Sequence, residues 1–188
     1  MKILVSGSHG LVGSSLAPAL SGKGHTVVRL VRGLSAAVGS EIAWDPEGER
    51  LDPGQLAGFD AVIHLAGEGI PAKRWSPEQK RRIRDSRTKG THLLAEAIAG
   101  LPSPPRALLT ASAIGYYGDR GDELLTEESP PGTGFLPEVC KAWEQAAESA
   151  ARKGIRVVAL RFGVILSPAG GALAKMLPPF KAGVGGKL

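Results

Sequence analysis

KILVSGSHGLVG, residues 2–13, sets a short β-favouring run before Gly7, Gly10 and Gly13, and an apolar-patterned segment follows it. The stretch reads as strand, phosphate turn and helix. Gly7 permits a tight turn off the strand, Gly10 lets backbone N–H groups approach a pyrophosphate, and Gly13 lets the helix pack close to the sheet. The helix N-terminus then offers unpaired N–H groups and a partial positive charge to a bound anion. Three glycines alone can mark no more than a tight turn. Here they follow the first predicted strand, open the first predicted helix, and are completed by a second strand within about thirty residues, as a βαβ nucleotide site requires.

Working outward, the first helix is expected over residues 11–21, with Leu11, Val12, Leu16, Ala19 and Leu20 as its buried stripe and Gly22 and Gly24 ending it. TVVRLV, residues 26–31, is β-branched and mostly apolar, as a parallel strand covered on both faces tends to be. Residues 33–58 read as a variable connection holding one short strand at 42–44, and DAVIHLA, residues 60–66, is the next strong strand. Ser76-Pro77-Glu78-Gln79 is a helix start with an N-cap serine, proline at the first helical position and a capping-box glutamine. Ile83, Gly90, Leu93, Leu94, Ala97 and Ile98 carry that helix on until Gly100 and Pro102 stop it. ALLTA at 107–111 is a fourth long strand, and a Gly, Asp, Glu and Pro-rich loop at 118–134 follows. Residues 135–153 predict one helix ending at Gly154, and RVVALRF at 156–162 a further strand.

Strands alternating with helices, joined by right-handed crossovers, give an α/β fold with a doubly wound parallel sheet, the Rossmann arrangement. The expected domain boundaries are a dinucleotide-binding domain at 1–166 and, at 167–188, the start of a C-terminal substrate-binding region that looks cut short. With 188 residues, one core suffices. The 43% hydrophobic composition excludes a disordered chain, and no apolar run approaches the length of a membrane span. The N-terminus enters a strand directly without the zones of a signal peptide, so the cytoplasm is the expected compartment. A lone Cys140 cannot form an internal disulfide, and the histidines at 9, 25, 64 and 92 lack metal-ligand spacing, so no metal is expected.

The net charge of +5 is concentrated: Lys73, Arg74, Lys80, Arg81, Arg82, Arg84, Arg87 and Lys89 face only Glu78 and Asp85 in their segment. Nucleic acid must be considered. Trp75 is the one aromatic near them, and a basic helix face without interleaved aromatics reads as solvated or cofactor-facing.

VSGSHGLVG at the start, DAVIHLAGE at 60–68 and ASAIGYYGDRGDE at 111–123 resemble the extended short-chain dehydrogenase/reductase superfamily. WDP at 44–46, RRIRDSR at 81–87, CKAWEQAA at 140–147 and LRFGVIL at 160–166 look more narrowly like its atypical epimerase subfamily, some bacterial members of which carry a cell-division-inhibitor label. The resemblance covers essentially the whole chain and implies a nicotinamide dinucleotide cofactor. It implies contacts from Gly7, Gly10, Leu11 and Gly13 at the pyrophosphate turn. Leu65, Ala66 and Gly67 would pass beside the adenine ribose, although a strand end needing small residues explains the last two equally well. Arg87 matches a basic position close to the cofactor, and a solvated helix face suits it as readily. Val164 and Ile165 match contacts near the nicotinamide, and core packing is their plainer account.

The end of the second strand selects between cofactors. An enzyme selective for the unphosphorylated form places Asp or Glu about twenty residues past the glycine turn. This chain has Leu30, Val31 and Arg32 there, and a guanidinium can hold a 2′-phosphate by two charge-assisted hydrogen bonds. NADP(H) is therefore expected in preference to NAD(H).

The superfamily's Tyr-x-x-x-Lys pair, whose ammonium lowers the phenol's pKa, is not present. Lys141 has Pro137 four residues earlier, and Cys140 has Leu136. Tyr116 and Tyr117 lie in the loop after the fourth long strand, and Ser112 falls near the position of the carbonyl-orienting Ser or Thr, with a one-residue ambiguity toward Ala113. Ser112, Tyr116 and Tyr117 are the candidate catalytic residues. Two functions remain open: a reductase, epimerase or dehydratase acting on a small-molecule carbonyl or sugar-nucleotide substrate, or a non-catalytic dinucleotide sensor. Neither nucleic acid nor membrane is an expected partner, and a homodimer is compatible with the sequence.

Overall fold

A computed structural model of the chain describes residues 1–33, 40–70 and 75–186. Six strands form one parallel sheet: β1 (Lys2–Ser6), β2 (Thr26–Arg32), β3 (Glu41–Trp44), β4 (Ala61–His64), β5 (Ala107–Ala113) and β6 (Arg156–Phe162), in the spatial order β3-β2-β1-β4-β5-β6. The helices are α1 (Leu11–Gly22), α2 (Pro77–Ala99), α3 (Phe135–Gln145), α4 (Glu148–Arg152) and α5 (Gly171–Lys181). Strand order reverses direction at β1, so a crevice opens between β1 and β4 at their C-terminal ends, where ligands of such sheets bind.

Both faces of the sheet are packed. One carries Leu4, Leu30, Val62 and Leu108 beneath Leu94 and Ile98 of α2 and Ala147 and Ala150 of the α3–α4 segment. The other, smaller cluster is Ile3, Val5 and Ile63 with Leu16 and Leu20 of α1 against it. Ser76 caps α2 through its Oγ, which accepts from the Gln79 N–H at 3.1 Å, with Pro77 at the first helical position.

Four expectations need correction. The inner face of α1 centres on Gly13 and Ala17, which are buried, while Ala19 is exposed; small residues one turn apart let the helix approach the strands. The β4 strand ends at His64, because the Leu65 N–H turns to the Ser6 carbonyl and hydroxyl, each at 3.2 Å. The β5 strand runs two residues beyond 111 and takes Ser112 into the ladder opposite Arg161. Finally, residues 135–153 form two helices: Ala146 and Ala147 donate to carbonyls three residues back, at 3.2 and 3.3 Å, and this tighter turn ends α3. Among the described residues no helix is long and apolar enough to cross a membrane, and no cluster of His, Cys, Asp and Glu could hold a metal. Lys73 and Arg74 of the basic cluster lie outside the described residues.

Candidate dinucleotide site

The glycine turn has no room for side chains. Gly7 adopts φ +67°, and a Cβ on it would lie 2.6 Å from the Leu65 carbonyl carbon. A Cβ on Gly13 would run into the Gly7 carbonyl and come within 2.7 Å of Ser8 Cα. Gly10, held by its N–H to the Gly7 carbonyl at 3.0 Å, caps α1 in extended conformation with no side-chain bond and no acid in the first turn. The first N–H groups of the helix thus face outward with their partial positive charge. Beside them the Ser8 hydroxyl is buried with no partner among the described residues. A bare, positively polarised backbone cradle with an orphan hydroxyl fits a pyrophosphate.

Two connected compartments extend from this turn. A groove of about 330 Å³ includes Gly7, Gly10, Leu30, Arg32, Leu65 and Gly67. A cleft of about 460 Å³ adds Pro46, Glu68, Arg82, Ser86 and Lys89, and shares Arg32, Trp44, Ala66 and Gly67 with the groove. Arg32 is exposed at the end of β2, and among the described residues it forms no ion pair. Leu11 is half-buried at the start of α1, where the side chain of this residue reaches the segment around Gly170 and Gly171. Beneath the turn, Ser6 Oγ lies 2.6 Å from His64 Nδ1. Burial lowers His64 to a pKa of about 4, and its ring meets Trp44 edge-on at 5.8 Å.

Beyond β5 a second constellation forms around Arg161 and Glu144. Arg161 donates from Nε to Glu144 Oε1 at 2.8 Å and from Nη2 to Oε2 at 2.9 Å, a bidentate pair with both side chains 17% exposed. Ser112 Oγ donates to Glu144 Oε1 at 2.7 Å, and Arg161 Nη1 donates to the Tyr117 hydroxyl and the Glu127 carbonyl, each at 2.9 Å. The guanidinium also lies 3.6 Å from the Tyr116 ring centroid. Burial works against ionising Glu144, but the hydrogen bonds from Arg161 and Ser112 outweigh it and hold the carboxyl below its usual range. Ser112, Tyr116 and Tyr117 are therefore brought together by two residues absent from the sequence reading of the site. An arginine inside VVALRF, the otherwise apolar stretch that follows Arg156, was the available signal for Arg161.

On α3, Cys140 is buried, whereas Lys141 is exposed. Burial pushes the Cys140 thiol up, and Glu144 adds to the shift. Arg87 is buried between Gly67 and Trp143. Val164, 72% exposed, and Ile165, 39% exposed, follow β6 at the surface and do not enter the core.

A parallel sheet with a glycine turn at its switch point and, among the described residues, an orphan hydroxyl and an unpaired arginine at the end of β2 defines a dinucleotide-binding α/β protein. Residues 3–183 match the model of the NAD dependent epimerase/dehydratase family, and the chain belongs to that family. It is 44% identical over 186 residues to an epimerase family protein of Mycobacterium bovis, an alignment covering 99% of this chain and 61% of that protein. A structure of a nucleoside-diphosphate sugar epimerase from Corynebacterium glutamicum superposes with TM-score 0.84 at 40% identity, covering 100% of this chain and 38% of the other. The human epimerase family protein SDR39U1, solved with NADPH, gives TM-score 0.81 at 32% identity, with 99% and 61% covered. The chain thus spans about three-fifths of the length of the curated relatives it matches.

Proposed function

We propose that this chain is the cofactor-binding part of an NADP(H)-dependent reductase or epimerase acting on a hydroxyl or carbonyl carbon of a small-molecule or sugar-nucleotide substrate. The observation that carries the reading is Arg32, exposed and unpaired among the described residues, lining both compartments beside the glycine turn. The NADPH in the human relative's structure and the epimerase described from Corynebacterium support it. A bound nicotinamide dinucleotide would supply hydride transfer. Gly7, Gly10, Leu11 and Gly13 would hold its pyrophosphate, Arg32 its 2′-phosphate, Leu65 to Gly67 its ribose, and Val164 and Ile165 would border the nicotinamide.

Carbonyl reduction also needs a proton at the oxygen from a group within hydrogen-bonding reach. Tyr117 accepts from Arg161, which leaves its own O–H free to donate and places a cation beside the oxygen that would become charged. Tyr116 is the other phenol of this loop. Ser112 gives its proton to Glu144, so it could orient a carbonyl only by exchanging that bond. This engagement, with Leu136 and Pro137 at the motif's tyrosine position, favours a second reading, a dinucleotide-binding protein without turnover.

Titrating NADPH and NADH into the protein and its Arg32→Ala variant tests the cofactor assignment. NADPH is expected to bind about tenfold or more tightly than NADH, as charge-assisted hydrogen bonds to a phosphate imply, and the gap should shrink in R32A. Equal affinities of the wild-type protein for both would overturn it.

A further inference from the structure

Apolar side chains stand bare where β5 and β6 end. The pairing of Ala113 with Phe162 sets Ile114 beside Gly163, and a Cβ on that glycine would lie 3.9 Å from Ile114 Cδ1. Ile114 is 52% exposed, and Val164, Ile165 and Leu166 follow Gly163, the last of them 65% exposed. The chain then returns to the start of α1, where a Cβ on Gly170 or Gly171 would meet the Leu11 side chain at 3.3 Å. The patch is thus continuous with the glycine turn and lies at the C-terminal side of the sheet, where ligands of such sheets bind.

Scattered exposed apolar residues need no explanation, but a contiguous group beside a ligand crevice marks a surface that something covers. Val164 and Ile165 are already assigned to the nicotinamide; Ile114 and Leu166 have no such occupant. The polar groups around them decide what can lie there. No charged residue occurs at 111–118 or 162–174, the two segments that build this rim. Behind it, Ser112 gives its proton to Glu144, and Arg161 makes four hydrogen bonds, two to Glu144, one to the Tyr117 hydroxyl and one to the Glu127 carbonyl. Among the described residues this leaves the Tyr117 O–H and the Tyr116 hydroxyl to meet a ligand. Two phenols suffice for the oxygen of one carbonyl or alcohol. A sugar ring in the same place would set several hydroxyls against carbon without partners, at the cost of their desolvation.

We infer that the substrate of this site is an apolar carbonyl compound or the corresponding alcohol: an aliphatic or aromatic skeleton that packs on Ile114 and Leu166 and carries one oxygen at the reacting carbon. This rests on the NADP(H) reading and selects, between a sugar nucleotide and another small molecule, the one without a sugar.

Calorimetric titration of the protein loaded with NADP+, which leaves a ketone unreduced, tests the inference with benzylacetone and UDP-glucose as probes. Benzylacetone is expected to bind about tenfold or more tightly than UDP-glucose, as burial of an aromatic and aliphatic surface against unpartnered hydroxyls implies. Ile114→Ser and Leu166→Ser should each weaken the ketone by about three- to tenfold and leave NADP+ within about twofold. Both positions are exposed, so neither change removes a core contact. UDP-glucose binding as tightly as the ketone, binding of neither, or a ketone affinity indifferent to both substitutions would overturn the inference. A dimer in sedimentation velocity that I114S and L166S dissolve, with no ketone bound, would make the patch an interface between copies and overturn it too. The NADP(H) reading stands or falls separately, on the NADP+ titration alone; if NADP+ does not bind the wild-type protein, both fall.

Discussion

His64 lies wholly inside the protein, its Nδ1 against Ser6 Oγ at 2.6 Å and its Nε2 without a partner among the described residues. Burial disfavours the imidazolium and lowers the pKa to about 4, against an unfolded value near 6.5. The unfolded chain therefore binds more protons over this range, and stability rises with pH there. The contribution is complete above pH 6.5 and is lost as the pH falls toward 4, by about 3 kcal/mol in all and about 2 kcal/mol by pH 5. Urea unfolding at pH 7 and pH 5 should show this loss in the wild type and its absence in His64→Leu, whatever that variant's baseline. An equal loss in both would place the sensitivity elsewhere. At this scale the sequence was half legible: DAVIHLA reads as a strand that carries His64, but Ser6, 58 residues away, cannot be paired with it until the strands are.

The glycine turn and α2 were legible as elements because each is set by local chemistry, φ +67° at Gly7 and a Ser-Pro-Glu-Gln helix start. The break between α3 and α4 was not. No Gly or Pro marks it; nearby, Trp143 bonds Thr91 and Glu144 bonds Ser112 and Arg161, tertiary contacts that a helical periodicity does not contain. The Glu144 carboxylate joins α3 to both β5 and β6, so removing it strands a mostly buried guanidinium. Glu144→Ala should destabilise the protein by about 2–4 kcal/mol, and Arg161→Met together with it by less than the sum of the single changes. Chemical denaturation of the four forms measures the coupling, and strict additivity would mean that the pair contributes nothing specific. Lys141, one residue from Cys140 but exposed, has no such tie, and Lys141→Met should stay within about 0.5 kcal/mol of the wild type.

Across the whole molecule, alternating strands and helices made a doubly wound parallel sheet readable, because right-handed parallel crossovers leave few arrangements, while the order of its strands came from the structure. The charge distribution needed the structure. The basic run along α2 does not form one surface: Arg82 meets Glu68 at 3.6 Å, Arg84 meets Asp85 at 3.3 Å, Lys80 lies 5.2 Å from the Phe135 ring centroid, and Arg87 points inward. Nucleic-acid affinity requires several cations free to neutralise successive phosphates, and sequence preference further requires groups that reach or stack on bases. Trp75, the aromatic nearest the cluster, is already edge-on to Phe135 at 5.6 Å and donates its indole N–H to the Ile70 carbonyl. The net +5 should therefore produce only weak, salt-sensitive retention of DNA or RNA. In a mobility-shift assay at physiological salt, no sequence-dependent retardation is expected, and what appears at low salt should vanish with unlabelled competitor. A sharp, competitor-resistant shift would show that α2 presents its charges together, against the pairing observed here.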